Sequence, residues 1–386
     1  MTGVPVREVA VVFLRLGLTA FGGPAAHVAL MEEEVVRRRG WLTRAEFLDL
    51  LGAAHLIPGP NSTELAIHVG GRVAGWRGFL AAGAGFILPA ALIVAALAWA
   101  YAAFGALPPI AGVLAGVKPV LIAVVAQAVW TLGRAALRTR GLGAVAAGAA
   151  ALAAAGVHEL AVLFGAGLLV GATRGGGLRR SAGVLALLVL AAALAGAVVV
   201  LAGEPGGAAE PVGLAALGLV FLKVGAVLFG SGYVLLAYLR ADLVERRGWL
   251  TEGQLLDAVA VGQVTPGPVF TTATFVGYLL AGPAGAVVAT AAIFLPAFVF
   301  VALSGPLVPR LRRSAVAGAF LDGVNAASVA LMTVVGVQLA RSAVVDVTTA
   351  AVALTAAVLV FRYRVNSAWL VLGGGAVGLA AQVISS

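Results

Sequence analysis

Phe13-Leu-Arg15-Leu-Gly17, Phe21-Gly-Gly-Pro24, Arg39-Gly-Trp41-Leu-Thr43 and Pro58-Gly-Pro60 follow one another early in the chain. They return in the same order as Phe221-Leu-Lys223-Val-Gly225, Phe229-Gly-Ser-Gly232, Arg247-Gly-Trp249-Leu-Thr251 and Pro266-Gly-Pro268. The offset is 208 residues from Phe13/Phe221 to Pro58/Pro266 and 207 from Gly70/Gly277 through Arg134/Arg341, so a single one-residue gap aligns two halves. The chain is one unit written twice. In an apolar chain, a duplication with Gly/Pro breaks at matching positions is the mark of a secondary transporter whose site lies between the repeats.

The rest of the composition agrees. With 62% hydrophobic and 11% charged residues, the apolar surface exceeds what one soluble core of this length can hide. The net charge of +9 comes mostly from Arg placed between apolar runs. That placement is a topology signal and not a nucleic-acid footprint, because no basic stripe is interleaved with aromatics. No Cys is present, which removes disulfides, thiolate metal sites and redox chemistry. Arg15 interrupts the first apolar run, so no cleaved signal peptide is expected.

Apolar segments lie at 9–30, 46–72, 76–103, 108–133, 142–157 and 159–173, and again at 214–237, 254–280, 283–303, 315–340, 347–361 and 366–384. Between them 181–203 is a Leu/Val/Ala span with no counterpart, followed by the loop Glu204-Pro-Gly-Gly-Ala-Ala-Glu210-Pro. The organisation is therefore a first repeat at 1–180, a linker helix and loop at 181–211, and a second repeat at 212–386. The fold class is an all-α integral membrane protein of about thirteen transmembrane helices, with Gly/Pro-broken helices. Pro58-Gly-Pro60 cannot stay helical. Segment 46–72 is either one broken helix that crosses or a re-entrant hairpin. Its 27 residues would reach roughly 40 Å at about 1.5 Å per residue, enough to cross once. Crossing would make the halves inverted, and returning would make them parallel. Loop Lys/Arg counts come out nearly equal, but the parallel arrangement leaves Arg310, Arg312 and Arg313 uncompensated outside. The inverted arrangement is preferred, with the N-terminus inside and the C-terminus outside.

Arg15 and Lys223 are repeat-matched cations inside apolar helices, each about two turns before a Gly-rich break. A cation at that depth is costly without a partner, so both are anion-site candidates unless they snorkel to the interface. The breaks themselves, Phe21-Gly22-Gly23-Pro24 and Gly230-Ser231-Gly232, either kink a helix for packing or aim free N–H groups and a positive dipole end at an anion. After the second break, Asn61 would cap the resumed helix, with Ser62 and Thr63 as hydroxyl donors. Glu64 either completes a capping box or exchanges protons. Its counterpart in the second half is Pro266-Gly267-Pro268 followed by Thr271 and Thr272. His55, opposite Gln263 in the repeat, titrates or donates a hydrogen bond. Asp49 and Asp257 are matched and expected to pair with interfacial Arg, and Lys118, opposite Asn325, supports an asymmetric role. Thr43-x-x-Glu46 and Thr251-x-x-Gln254 read as capping boxes, and Gly112-x-x-x-Gly116 and Gly167-x-x-x-Gly171 as packing faces. Hydrolase, P-loop and dinucleotide signatures are missing, so no enzyme activity, cofactor or metal is expected, and the energy source must be an ion gradient or the membrane potential.

With these motifs on both copies, the chain resembles the chromate ion transporter family in its two-domain form. The likeness covers nearly everything except the linker helix. It implies chromate efflux, with sulfate as the structural analogue, a proton gradient or membrane potential as driver, and two halves of opposite orientation. By motif matching, Arg15, Phe21, Gly22, Gly23, Pro24, Pro58, Gly59 and Pro60 inherit the functional role; Ser231 and Gly232 depart from the pattern, against a strictly symmetric site. The expected partners are chromate or a related oxyanion and the lipid bilayer, with no nucleic acid; a homodimer is compatible. The expected location is the inner (plasma) membrane, multi-pass. Transport of sulfate or another oxyanion, and an anion channel, remain alternatives.

Overall fold

The computed structural model describes residues 4–21, 23–105, 107–174, 212–229, 234–312 and 314–385. The linker helix expected at 181–203, Gly22, and the Gly230-Ser231-Gly232 break lie outside these residues. All regular structure among the described residues is helical.

Helix α1 (Val6–Thr19) ends at the first break, and α2 (Gly23–Glu32) resumes with Pro24 in its first turn and runs into a π-helical turn at Glu33–Arg38. Helix α3 (Arg44–Ala54) is started by the expected capping box, in which Thr43 and Glu46 exchange hydrogen bonds. After Pro58-Gly-Pro60 comes α4 (Asn61–Phe104), which doubles back at Ala74 and Gly75. Gly75 has φ 63°, and a Cβ on Gly70 would sit 2.2 Å from the carbonyl oxygen of Gly78. The two arms of α4 therefore touch backbone to backbone. Helices α5 (Pro108–Ala136), α6 (Arg140–Ala154) and α7 (Glu159–Arg174) complete the half.

The second half repeats the plan as α8 (Leu214–Val227), α9 (Leu235–Leu239), a π-helical stretch at Arg240–Arg246, α10 (Glu252–Val264), α11 (Thr272–Arg312), α12 (Ala315–Ala343), α13 (Val347–Arg362) and α14 (Ser367–Ser385). Helix α10 has the second expected capping box, and α11 reverses at Ala281 and Gly282 as α4 does. The Arg-Gly-Trp motif also has a local cause. Gly40 and Gly248 adopt φ 60° and 59°, which folds Arg39 over Trp41 and Arg247 over Trp249.

Contacts at the helix ends correct the expectation for segment 46–72. Arg72, at the end of the first arm of α4, reaches Glu46 at the start of α3 across 3.1 Å. The segment is thus a hairpin with Pro58-Gly-Pro60 at its tip, and not a broken helix that continues. Segment 9–30 behaves alike: Arg39 pairs with Glu8, and the N–H of Val4 donates to the Val73 carbonyl at 3.1 Å. The first break is the tip of a second hairpin. The physical reason is the shared interior of Val9, Val12, Phe13, Met31, Val35, Phe47, Leu65 and Val69, which four short arms cover better than two continuous helices would. Four helical stretches among the described residues are long and apolar enough to cross a membrane: Asn61–Phe104, Gly112–Ala136, Val269–Ser304 and Ala315–Ala343. Five further apolar helices are shorter. The count of about thirteen spans took the hairpins as crossings.

The halves are interlocked. Helix α14 packs on α5 and α7 on α12. A Cβ on Gly116 would lie 2.1 Å from the Gly374 carbonyl oxygen, and one on Gly323 2.4 Å from that of Ala166. Gly116 corresponds to Gly323 and Gly167 to Gly374 in the repeat, so the two crossings are the same contact made twice, as a two-fold relation requires. The expected Gly112-x-x-x-Gly116 face is this crossing. The repeat also exchanges sign: Glu32 pairs with Arg44 at 3.3 Å, and at the equivalent positions Arg240 pairs with Glu252 at 2.6 Å.

Candidate functional site

Each Pro-Gly-Pro tip meets the end of the other half's first helix. The N–H of Gly59 donates to the carbonyl of Leu228 at the end of α8 (2.8 Å), and the N–H of Gly267 donates to that of Ala20 at the end of α1 (2.9 Å). Each Pro-Gly-Pro tip therefore satisfies a carbonyl left open where the other half's first helix stops. Both glycines hold positive φ, 134° and 89°. Gly267 is packed hard, since a Cβ there would lie 2.8 Å from Ala90 Cβ and 3.0 Å from the Gly17 carbonyl oxygen. Pro266 and Pro268 are buried beside it.

Sequence reasoning missed His27. It is buried, with Nε2 3.1 Å from the Ala20 carbonyl oxygen and Nδ1 3.3 Å from Ser62 Oγ. A carbonyl only accepts, so Nε2 carries a proton and donates it, while Nδ1 and the Ser62 hydroxyl share the second hydrogen bond. The Phe86 ring meets the imidazole edge-on at 5.5 Å. His27 thus ties the first tip to the start of α4. The available signal was its position on the resumed helix, but the repeat places Leu235 there and hides it.

Past Ser62 the site contains polar groups with nothing to bind. Glu64 is fully buried, and neither of its carboxyl oxygens has a hydrogen-bond partner; Thr63 Oγ1 and His68 Nε2 are also unpartnered. Glu64 and His68 are one turn apart on one face of α4. The carboxyl lies against the tip, because a Cβ on Gly59 would be 2.3 Å from Glu64 Oε1. The capping role expected for Asn61 and Glu64 is not what forms. The helix begins from Pro60 with no side-chain cap, and the N–H groups of Thr63 and Glu64 bond the Pro60 carbonyl. In the second half the hydroxyls of Thr271 and Thr272 turn back to the carbonyls of Pro268 and Val269, each at 2.8 Å. The two sides of the site are therefore unequal.

The matched cations part company. Arg15 is exposed on α1, with its backbone carbonyl accepting from Thr19. Lys223 is buried and ion-paired with Asp242, 4.0 Å from Glu159, and Arg246 pairs with both carboxylates. Its partners are these residues and not Asp322 or Glu64. Two differences accompany the asymmetry: Glu34, the repeat equivalent of Asp242, is taken by Arg38 and Arg39, and the position equivalent to Glu159 is Asn366. Phe21 is exposed, Pro24 and Pro58 are half-buried, and His55 is exposed at the end of α3. Asp257 bonds Tyr101 Oη at 2.9 Å and lies 3.5 Å from Lys118 Nζ, so its cation is a lysine of the other half and not an interfacial Arg.

Comparison with known proteins follows the same division of the chain. A family model described as Chromate transporter matches residues 7–172 and 215–379, the two repeats without the segment between them. The chain is 38% identical over 294 residues to the "Chromate transport protein" of Pseudomonas aeruginosa, covering 75% of this chain and 70% of that one. It is 36% identical over 305 residues to the "Chromate transport protein" of Cupriavidus metallidurans, covering 78% and 74%. It is 34% identical over 304 residues to the "Probable chromate transport protein" of Synechococcus elongatus, covering 76% and 74%. No solved structure matches.

Proposed function

This chain belongs to the chromate transporter family, and we propose that it carries chromate, a tetrahedral dianion, across a cell's inner membrane, outward, at the junction of the hairpin tips. The observation that carries the reading is the reciprocal pair Gly59 to Leu228 and Gly267 to Ala20, next to the buried and unpartnered Thr63, Glu64 and His68. Helix starts at Gly23 and Asn61 converge there, and N–H dipoles at a helix start favour an anion.

Inverted halves are supported by the course of α4. Its second arm begins beside the base of the first-half hairpins and is roughly 40 Å long at about 1.5 Å per residue, enough to cross. Its far end, Tyr101, bonds Asp257, in the middle of α10 on a second-half hairpin. The two sets of hairpins then come in from opposite faces and meet tip to tip. Arginine placement agrees: Arg37, Arg38, Arg39, Arg44 and the groups at 134–140, 310–312 and 362–364 fall on one face, against Arg240, Arg246, Arg247 and Arg341 on the other. The positive-inside rule makes the first face cytoplasmic, with the N-terminus inside.

Glu64 supplies coupling to protons. An ionised carboxylate without a partner is costly to bury, and a dianion beside it would be repelled, so anion and proton occupancy are linked at this tip. The test is flux of chromate into proteoliposomes under imposed pH and voltage gradients, with sulfate as competitor. Saturable flux that responds to the pH gradient supports the reading. Flux that rises with the chromate gradient without saturating would make the protein an anion channel, and preference for sulfate would reassign the substrate.

A further inference from the structure

A cavity of about 320 Å³ lies at the other end of α4's long arm, lined by Tyr101, Lys118, Asp257, Ser342, Val345 and Thr349 among others. It joins the halves: Tyr101 and Lys118 come from the first, the rest of these from the second. Arg15, Lys118 and Lys223 each interrupt an apolar run. Arg15 faces outward and Lys223 is locked between carboxylates. Lys118 lines this cavity.

The geometry of its ion pair is loose. Lys118 Nζ stands 3.5 Å from Asp257 Oδ1, beyond the roughly 2.7–2.9 Å of a charge-assisted hydrogen bond. That oxygen accepts no hydrogen bond, while Oδ2 is held at 2.9 Å by Tyr101 Oη. Tyr101 thus fixes the carboxylate just short of the ammonium, and Gly253 leaves the ammonium room, a Cβ there falling 3.2 Å from Nζ. Lys118 is a partly satisfied cation facing open volume.

We propose that this cavity is a second anion-binding site, a vestibule in which Lys118 holds a tetrahedral oxyanion and Asp257 is the counter-ion the anion displaces. The inference rests on the oxyanion reading of the previous section. Lys118 donates to the anion, Asp257 keeps Tyr101, and the cross-repeat ion pair opens when the vestibule fills. Asp257 is therefore a competitor of the substrate and not a ligand for it.

The competition gives the two neutralised variants opposite signs, which a structural ion pair would not. Binding of radiolabelled sulfate to the detergent-purified full-length protein, by equilibrium dialysis, is measured beside the KM for chromate flux. Lys118→Gln should weaken sulfate binding and raise KM about tenfold or more, the worth of one charge-assisted hydrogen bond. Lys118→Arg should keep most of both. Asp257→Asn should tighten binding and lower KM several-fold. The proposal is overturned if both neutralised variants lose folded protein and the Lys118→Gln/Asp257→Asn double variant regains it, or if neither binding nor KM moves. If sulfate binding follows Lys118 while the parent protein shows no oxyanion flux, the vestibule stands and the transport reading falls. If flux is present and dialysis does not respond to Lys118, the reverse holds.

Discussion

Gly59 donates its backbone N–H to the carbonyl of Leu228 across 2.8 Å, in the partner half of the same chain. With the equivalent bond from Gly267 to Ala20, this makes each half finish the other's broken helix. The two bonds differ in what surrounds them. Gly267 is walled by Ala90 and the Gly17 backbone, whereas Gly59 faces the movable carboxyl of Glu64.

Gly267→Ala should therefore cost more than Gly59→Ala. A left-handed backbone and an overpacked Cβ together cost about 2–4 kcal/mol, and Gly267→Ala should lose thermal stability in detergent. Gly59→Ala should keep more of the fold and lose flux, because the new methyl displaces Glu64. Equal melting temperatures for the two would refute the difference in packing.

The helix crossing at Gly116 and Gly374 predicts a second contrast. Gly116→Ala places a methyl 2.1 Å from the Gly374 carbonyl oxygen and should sharply reduce folded yield. Gly143, in α6, has nothing within 4 Å of the same position. Gly143→Ala should be neutral or stabilising by up to about 1 kcal/mol. Size-exclusion profiles of the two variants make the comparison.

Lys223 and Arg15 should not behave alike. Lys223→Gln leaves Asp242 and Glu159 buried with Arg246 alone, and breaking a buried ion pair costs about 3–5 kcal/mol. Arg15→Gln removes an exposed charge and should leave folded yield near that of the parent. Similar yields for both would show that the Lys223 cluster contributes little.

The proposed inverted arrangement of the halves predicts a labelling pattern. The chain has no Cys, so single cysteines report cleanly. Arg37→Cys and Glu245→Cys occupy repeat-equivalent exposed positions at the hairpin bases, and an impermeant thiol reagent should reach them from opposite faces of the membrane. Labelling from one face would make the halves parallel.

Much of this fold can be read from the sequence because its breaks are chemical: Gly and Pro at fixed offsets mark the tips, and the Thr-x-x-Glu and Thr-x-x-Gln boxes mark helix starts. The direction taken after a break cannot be read the same way. Pro58-Gly-Pro60 stops a helix but does not say whether the chain continues or returns, and the answer lies in Arg72 meeting Glu46 far along the chain. The backbone breaks were legible in the sequence, and the side-chain pairings around them were not. Repeat matching ranked Arg15 with Lys223, although Lys223 is held by Asp242, whose copy Glu34 is taken by Arg38 and Arg39. It also passed over His27, which acts through Ala20 and Ser62 in one half only.

The most direct test of the central claim is chromate flux through Glu64→Gln in proteoliposomes, compared with the parent protein under three conditions: equal pH, an imposed pH gradient, and a voltage alone. Glutamine fills the same space and cannot carry the proton. If Glu64 carries the proton, exchange of chromate at equal pH persists in the variant, while the pH gradient no longer drives or accelerates net flux. A variant whose flux responds to the pH gradient as the parent's does would contradict it.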